Sequence, residues 1–552
     1  MAFAMNIWLQ HLPVLPIVVP LFAGAALLLF TESHRRLRGA IAVIATLAQL
    51  AIAITLLSMT TDAVSSIWPN GIGVYAIGSW PAPFGIVLVV DRLSALMLTL
   101  VAALALAALV YSLARWERVG VHYHSLFQFL LMGLNGAFLT GDLFNLFVFF
   151  EVLLAASYGL LLHGSGVTRV KSGLHYIVVN LVASLLFLIG AAMIYGVTGT
   201  LNMADLAVRI AVLTAADRGL FDAGAAILGV AFLVKAGSWP LNFWLPSAYS
   251  AAGAPVAAVF SIMTKVGVYA VLRIGSLLAL SNAPAPFAGQ WLLVVGLATI
   301  VFGGAGMLSA NQLSRLIGFA VIVSSGTVLA AVGLDAERLT APALFYLLTS
   351  ALATGAFFML TGMTERTRMQ VSEVADAAPL PPVTYNAFES EEPPRAPDDE
   401  VGIAIPAAMA FLGLAFIFCV VLVTGLPPLS GFLAKFALLS TAIGAPGEVS
   451  VATWMLVAAL LATGLAGLIA LARIGMRLFW SPTQRMTPRL RVIEAGPVAF
   501  LILLCVGATI GAGPLMTYLD AAARTLHAPR TYVDAVLAPE SVGALIETGA
   551  GR

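Results

Sequence analysis

AILGVAFLVKAGSWPLNFWLP, residues Ala226–Pro246, decides the fold. The run is apolar enough for a bilayer, yet it carries Lys235. Its middle, Gly237-Ser238-Trp239-Pro240, interrupts a helix, because proline lacks an N–H and clashes with the preceding turn. A span starting near Ala223 and resuming to Ala248 is therefore expected as one discontinuous transmembrane helix. A lone cation at mid-membrane costs roughly 2.5–3.5 kcal/mol, so Lys235 needs a partner or a task.

The same pattern recurs. The chain has only four lysines, Lys171, Lys235, Lys265 and Lys435, and three of them sit in apolar runs. Lys265 lies in VAAVFSIMTKVGVYAVL, and Lys435 in VLVTGLPPLSGFLAKFALL, beside a second break at Gly425-Leu426-Pro427-Pro428. The loops carry arginine instead. Arginine stays charged at ordinary pH, whereas a desolvated lysine can lose its proton near neutrality. Snorkelling to an interface is the structural alternative, and all three lie deep for it. The working idea is a proton path.

Composition agrees. With 61% hydrophobic and 10% charged residues in 552 and a mean hydropathy of +1.01, this is a polytopic membrane protein. The net charge of +1 leaves no footprint for nucleic acid. Cys419 and Cys505 fall in apolar runs and read as small core residues, so neither a disulfide, a metal nor a cofactor is expected.

About 14 spans of about 20 residues fit. The first, Ile7 to Phe30, has no Lys or Arg before it and is too long for a signal core. It ends at His34-Arg35-Arg36-Leu37-Arg38, which should stay cytoplasmic and put the N-terminus outside. Thr60–Asp91 fits an external loop, and Arg115, Arg118 and the His122/His124 pair bring the chain back inside after span 3. Spans 4 and 5 meet at Gly141-Asp142, and a linker with Arg169 and Lys171 precedes span 6 near Tyr176. Leu201–Ala216, with Asp205 and Arg209, suits a helix lying on the outer surface. Residues 365–400 read as a flexible cytoplasmic loop. Span 12 is best taken as one broken helix to Ile443. Two separate spans would move Arg473, Arg477, Arg485, Arg489 and Arg491 outside. The tail after Tyr518 should end outside.

The broken spans 7 and 12 stand five spans apart, and a repeat of five helices is inverted relative to its partner. The expected architecture is all-α, with two inverted five-helix repeats. Residues 1–125 carry spans 1–3, 126–280 the first repeat, 291–480 the second repeat with the 365–400 loop, and 481–552 the last span and tail.

Glu151, in NLFVFFEVLLAASYG, is the one carboxylate placed near the middle of a span. A cation within about 4–6 Å would favour its charged form, so its expected partner is a lysine. A static ion pair holding two helices together is the plainer alternative. The breaks at Pro240, Pro427 and Pro428 free backbone carbonyls for water or a cation. Arg273 could tune Lys265 or snorkel. His163 and His175 flank the linker between spans 5 and 6 and are candidates for proton uptake. The His122/His124 pair reads as loop. No phosphate loop, CxxC set or nucleophile arrangement points to redox or hydrolytic chemistry.

Glu151, Lys235, Lys265 and Lys435 in this order resemble one superfamily: antiporter-like subunits of respiratory complex I, membrane-bound hydrogenases and Mrp-type (Pha/Mnh) cation/proton antiporters. The likeness is most specific over about residues 90–480. Stretches Gly141–Gly164, His175–Leu206 and Lys235–Ile274 look most like the D-type branch of the Mrp antiporter subunits. It implies Glu151 and Lys235 as an ion-pair switch, Lys265 as a central relay and Lys435 as the terminal proton site. Complex I subunits often carry KRLLAYSS-x-x-H, where this chain reads SRLIGFAVIVSS with Ser324 at the histidine's place. The resemblance thus implies a proton-translocating subunit of a hetero-oligomeric antiporter in the cell membrane, exchanging protons for Na⁺ or K⁺ beside other membrane subunits. A proton-pumping subunit of a quinone- or ferredoxin-linked complex and a stand-alone transporter remain the alternatives.

Overall fold

The computed structural model describes residues 9–31, 34–61, 68–281, 289–377, 407–445, 447–479 and 490–538. Among them, thirteen helices are long and apolar enough to cross a membrane. They are α1 (Leu15–Leu29, led in by a 3₁₀ turn from Leu12), α2 (Arg35–Met59), α3 (Arg92–Ser112), α5 (Leu143–Leu162), α6 (Val167–Thr198), α8 (Ala215–Ala236) and α10 (Ala254–Leu278), followed by α11 (Gln290–Ser309), α12 (Leu313–Leu334), α13 (Ala336–Ala377), α14 (Ala407–Thr424), α16 (Val451–Phe479) and α17 (Val492–Ile510). The shorter α4 (Tyr123–Leu139) packs lengthwise on α1 and α5 and completes the expected fourteen.

The remaining helices are short: α7 (Met203–Ile210), α9 (Leu245–Ala251), α15 (Ser430–Ile443), α18 (Ala512–Leu526) and α19 (Pro529–Leu537). Two strands, β1 (Gly73–Ala76) and β2 (Val87–Val90), form an antiparallel hairpin that the all-α reading missed. Both strands lie in the stretch read as a loop, where alternation is short and prolines dominate.

Three boundaries differ from expectation for local reasons. Helix α6 already begins at Val167, so Arg169 and Lys171 ride on its first turns rather than in a linker; both are good helix formers. Helix α13 continues to Ala377, past the predicted start of the 365–400 loop; residues 378–400 lie outside the described residues. The last span stops at Ile510 because Gly511, Gly513 and Pro514 favour a new start, and α18 follows as an amphipathic segment. Arg485 and Arg489 also lie outside the described residues.

The bundle has two faces. One, the hairpin face, carries β1–β2, α7, α18 and α19. The turn Thr140-Gly141-Asp142 is stitched to it on both sides: Gly141 N–H donates to Val87 O (2.9 Å), and Leu143 N–H donates to Leu201 O (2.8 Å). The other, the arginine face, carries Arg115, Arg169 and Arg491. Arg491 Nη1 donates to Ala114 O at 3.1 Å.

Helix α10 is the axis of the structure. The apolar window of α10 is wholly buried, against 94% for α13 and 89% for α12, while α1, α14 and α17 are about one-third buried. Small residues let its neighbours close in. A Cβ at Gly267 would lie 2.4 Å from Ala236 N and 2.7 Å from Phe232 O, so α10 and α8 touch backbone to backbone beside Lys235. Close approach at glycine is the usual way helices associate where lipid gives no hydrophobic push.

Both discontinuous helices are present. Span 7 is α8 followed by α9, and span 12 is α14 followed by α15. The two first halves end alike. Ser238 N–H reaches Leu233 O and Leu426 N–H reaches Val421 O, each at 3.0 Å, closed by Gly237 and Gly425 in left-handed conformation (φ 68° and 77°). This is the glycine-capped 6→1 closure that satisfies orphan carbonyls at a helix end. The Trp239–Pro240 and Pro427–Pro428 bonds are both cis.

Candidate functional site

Lys235 stands in the last turn of α8, where the partial negative charge of a helix C-terminus favours a cation. Its Nζ donates to Ser184 Oγ of α6 at 3.3 Å, and Ser184 Oγ donates in turn to Glu151 Oε1 of α5. The expected Glu151–Lys235 pair is thus joined through one hydroxyl rather than in direct contact. The Lys235 ammonium also lies 5.7 Å from the centroid of Phe150, over a ring that stabilises a cation in an apolar setting. Glu151 is half-buried, at the flank of the bundle.

Lys265, at 1% exposure, cannot snorkel. Its Nζ donates to Ser325 Oγ of α12 at 3.1 Å. One residue back, Ser324 Oγ and Ser350 Oγ of α13 share a hydrogen bond of 2.6 Å. Both serines line a cavity of about 20 Å³, and Thr354, Thr424, Thr463 and Lys435 share its wall. That is space for about one water, which needs polar partners such as these. Lys435 closes the row: its Nζ donates to Thr424 O at 2.6 Å, the carbonyl at the end of α14.

This geometry removes an asymmetry of the sequence. Lys235 precedes its break and Lys435 follows its own by several residues. In space the Lys435 ammonium returns to the C-terminal end of the first half-helix, where Lys235 also sits. Pro240, Pro427 and Pro428 therefore mark the two places where a cation meets a helix end.

Between α8 and α10 the break is polar and buried. Ser238 Oγ, Asn242 Oδ1 and Nδ2, Trp244 Nε1 and Thr264 Oγ1 have no hydrogen-bond partner in the protein among the described residues. Buried groups of this kind are satisfied by ordered water or an ion. No cluster of three or more His, Cys, Asp or Glu that could hold a metal occurs among the described residues.

The other sequence candidates separate. His163 is buried, and one ring nitrogen meets Trp116 O at 3.1 Å. His175 is exposed on α6, with Nδ1 near its own helix at Lys171 O (2.9 Å). Arg273 neither snorkels nor reaches Lys265. It pairs with Asp91 at 2.6 Å, stacked between Tyr269 and Tyr532 at 5.4 and 5.2 Å. Asp91 also caps α3 through a reciprocal box with Ser94. His124 is helical rather than loop, and meets Glu117 at 3.1 Å.

Ser184, Ser325 and the Thr424 carbonyl were missed from sequence. Small hydroxyls in apolar helices are common, and a backbone acceptor leaves no residue-type signal. Only the facing of α6 towards α8, and of α12 towards α10, singles them out.

Residues 140–384 match the family described as NADH:quinone oxidoreductase/Mrp antiporter, transmembrane. The chain is 52% identical over 546 residues to the probable D-type K⁺/H⁺ antiporter subunit of Rhizobium meliloti (strain 1021), covering 98% of this chain and all of that one. It is 33% identical over 536 residues to the D-type Na⁺/H⁺ antiporter subunit of Bacillus subtilis (strain 168), covering 96% and 100%. In three dimensions it matches a chain of the Mrp complex from Dietzia sp. DQ12-45-1b with a TM-score of 0.78 and 25% identity, over 96% of this chain and 99% of that one. Over its full fold and the helices that hold the lysine row, the chain belongs to the D-type family of Mrp antiporter subunits.

Proposed function

We propose that this chain is the proton-translocating subunit of a hetero-oligomeric K⁺/H⁺ antiporter in the cell's inner membrane. The carrying observation is the polar row across an apolar bundle: Glu151–Ser184–Lys235, then Lys265–Ser325, then the Ser324/Ser350 cavity and Lys435. Each lysine has a neutral oxygen as its nearest acceptor, so none is locked in a direct ion pair that would hold its proton. Glu151 biases the first lysine, and Glu151 and Lys435, the half-buried ends of the row, are where neighbouring membrane subunits would take protons on or off. The choice of K⁺ follows the 52% identity to a probable K⁺/H⁺ subunit, against 33% to an Na⁺/H⁺ one. This reading is a transporter, with redox chemistry left to no part of the chain.

The two broken helices occupy the fourth place in each set of five spans, which supports reading 126–280 and 291–480 as inverted repeats. The arginine face is read as cytoplasmic, with both termini outside. The test is the isolated complex in proteoliposomes. A pH gradient collapsed by K⁺ at lower concentration than by Na⁺, and lost in Glu151→Gln with the complex still assembled, supports the proposal. Equal response to both cations would remove the K⁺ assignment. Redox subunits co-purifying with the chain would favour the complex I-type reading.

A further inference from the structure

A second feature lies outside the lysine row. On the arginine face a vestibule of about 390 Å³ is walled by Arg115, Trp116, Arg169, Ser314, Glu365 and Tyr249. The Arg169 guanidinium is fixed there, donating to Ala251 O (2.9 Å) and His163 O (2.8 Å) and lying 5.7 Å from the Trp116 ring. Tyr249 forms the inner end. It is 1% exposed, and its hydroxyl has no hydrogen-bond partner in the protein.

From Tyr249 a ladder of aromatic hydroxyls runs towards Glu151. Trp244 sits between Tyr249 and Tyr176, with ring centroids 6.2 and 5.3 Å away. Tyr176 and Tyr158 meet edge to face at 5.4 Å, and the Tyr176 hydroxyl hydrogen-bonds Ser157 Oγ at 2.8 Å. Tyr158 lies two turns from Glu151 on α5, within its electrostatic reach, and its hydroxyl is likewise buried with no hydrogen-bond partner in the protein. Packing alone would be served by phenylalanine, as it is at Phe260, which packs against both Tyr176 and Tyr249. Three tyrosines, two of them with unpaired buried hydroxyls, are costly as mere filler in a membrane interior.

We propose that protons from the arginine face reach Glu151 from this vestibule along the hydroxyls of Tyr249, Tyr176, Ser157 and Tyr158, with water bridging where neighbours do not touch. Each hydroxyl oxygen accepts a proton on a lone pair and passes its own proton onward. The hydroxyls end unchanged, and the Glu151 carboxylate gains one proton. The residues act by delivery, and the proposal rests on Glu151 being the proton acceptor of the transport reading above.

The experiment uses the full antiporter complex in proteoliposomes, with Tyr249→Phe, Tyr176→Phe and Tyr158→Phe. The rings and their stacking stay; only the hydroxyl goes. Tyr518→Phe, a half-buried hydroxyl on the hairpin face bonded to Arg92 O, is the control. Each ladder variant should lower the maximal exchange rate roughly tenfold, the size of one lost hydrogen bond on a rate-limiting path. The cation concentration for half-maximal rate should be unchanged and the solvent deuterium isotope effect larger. Near-normal rates in all three, or an equal loss in Tyr518→Phe, would overturn the ladder. Glu151→Gln separates the two ideas. If it abolishes exchange while the tyrosine variants run normally, the lysine row stands and the ladder falls. If it leaves exchange intact, delivery to Glu151 falls together with the reading beneath it.

Discussion

The two broken helices are built on the same local physics and end in different chemistry. In both, a left-handed glycine closes the first half, a prolyl bond follows, and a lysine ammonium sits at the freed helix end. At α8 the lysine is tied through Ser184 to the Glu151 carboxylate; at α14 it has a backbone carbonyl and a cavity. One lysine therefore has a charge to answer to and the other does not. On the proposed reading, the first break would act as the switch and the second as the terminal exchange site.

The largest effect is expected at the carboxylate. Glu151→Gln should abolish exchange with the complex assembled, because Lys235 loses the charge that sets its state. Proton flux in vesicles, with assembly checked by co-purification, measures this. Normal flux would make the two breaks equivalent. Ser184→Ala should come next, since it cuts the bridge while leaving both charges. A loss of roughly tenfold is expected, about one hydrogen bond to a charged group. Ser184→Thr, which keeps a hydroxyl, should restore most of the rate.

Gly425→Ala sharpens the other side. A Cβ there would lie 2.6 Å from Lys435 Cδ and 3.1 Å from its Nζ, besides holding alanine at φ 77°. At Gly237 the Cβ would meet Leu245 and Thr264 instead. Both should cost about 1–3 kcal/mol of backbone strain. Only Gly425→Ala should displace a lysine of the proposed row, so its flux per assembled complex should fall further. Equal flux per complex in the two variants would show that Lys435 tolerates displacement.

The smallest effect is reserved for Lys171→Ala, whose residue rides on the exposed start of α6. Its flux should stay near normal, while Lys265→Ala should lose most activity. Breaking the Asp91–Arg273 pair belongs to stability instead. Asp91→Ala should destabilise the hairpin face by about 3–5 kcal/mol, the usual penalty for stranding one member of a buried pair.

The fold was legible because hydropathy and proline carry most of the information in a bilayer: spans, breaks and order all follow from backbone satisfaction. The lysines were legible because each stands alone in apolar sequence. What stayed hidden depends on which helix faces which. Arg273 finds Asp91 only because α10 runs up beside the N-terminus of α3, and Lys435 finds Thr424 only because α15 turns back on α14. The hairpin β1–β2 was hidden for a different reason, since four-residue strands between prolines give almost no periodic signal.

The central claim is that these lysines work by releasing protons. Lys435→Arg tests it most directly, since arginine preserves charge and reach but does not deprotonate in proteins. Cation-dependent proton flux should be measured for Lys435→Arg beside Lys435→Ala, in assembled complex. The account predicts that both fail alike. Near-normal flux with arginine would show that Lys435 is a fixed charge and that the proton leaves by another route.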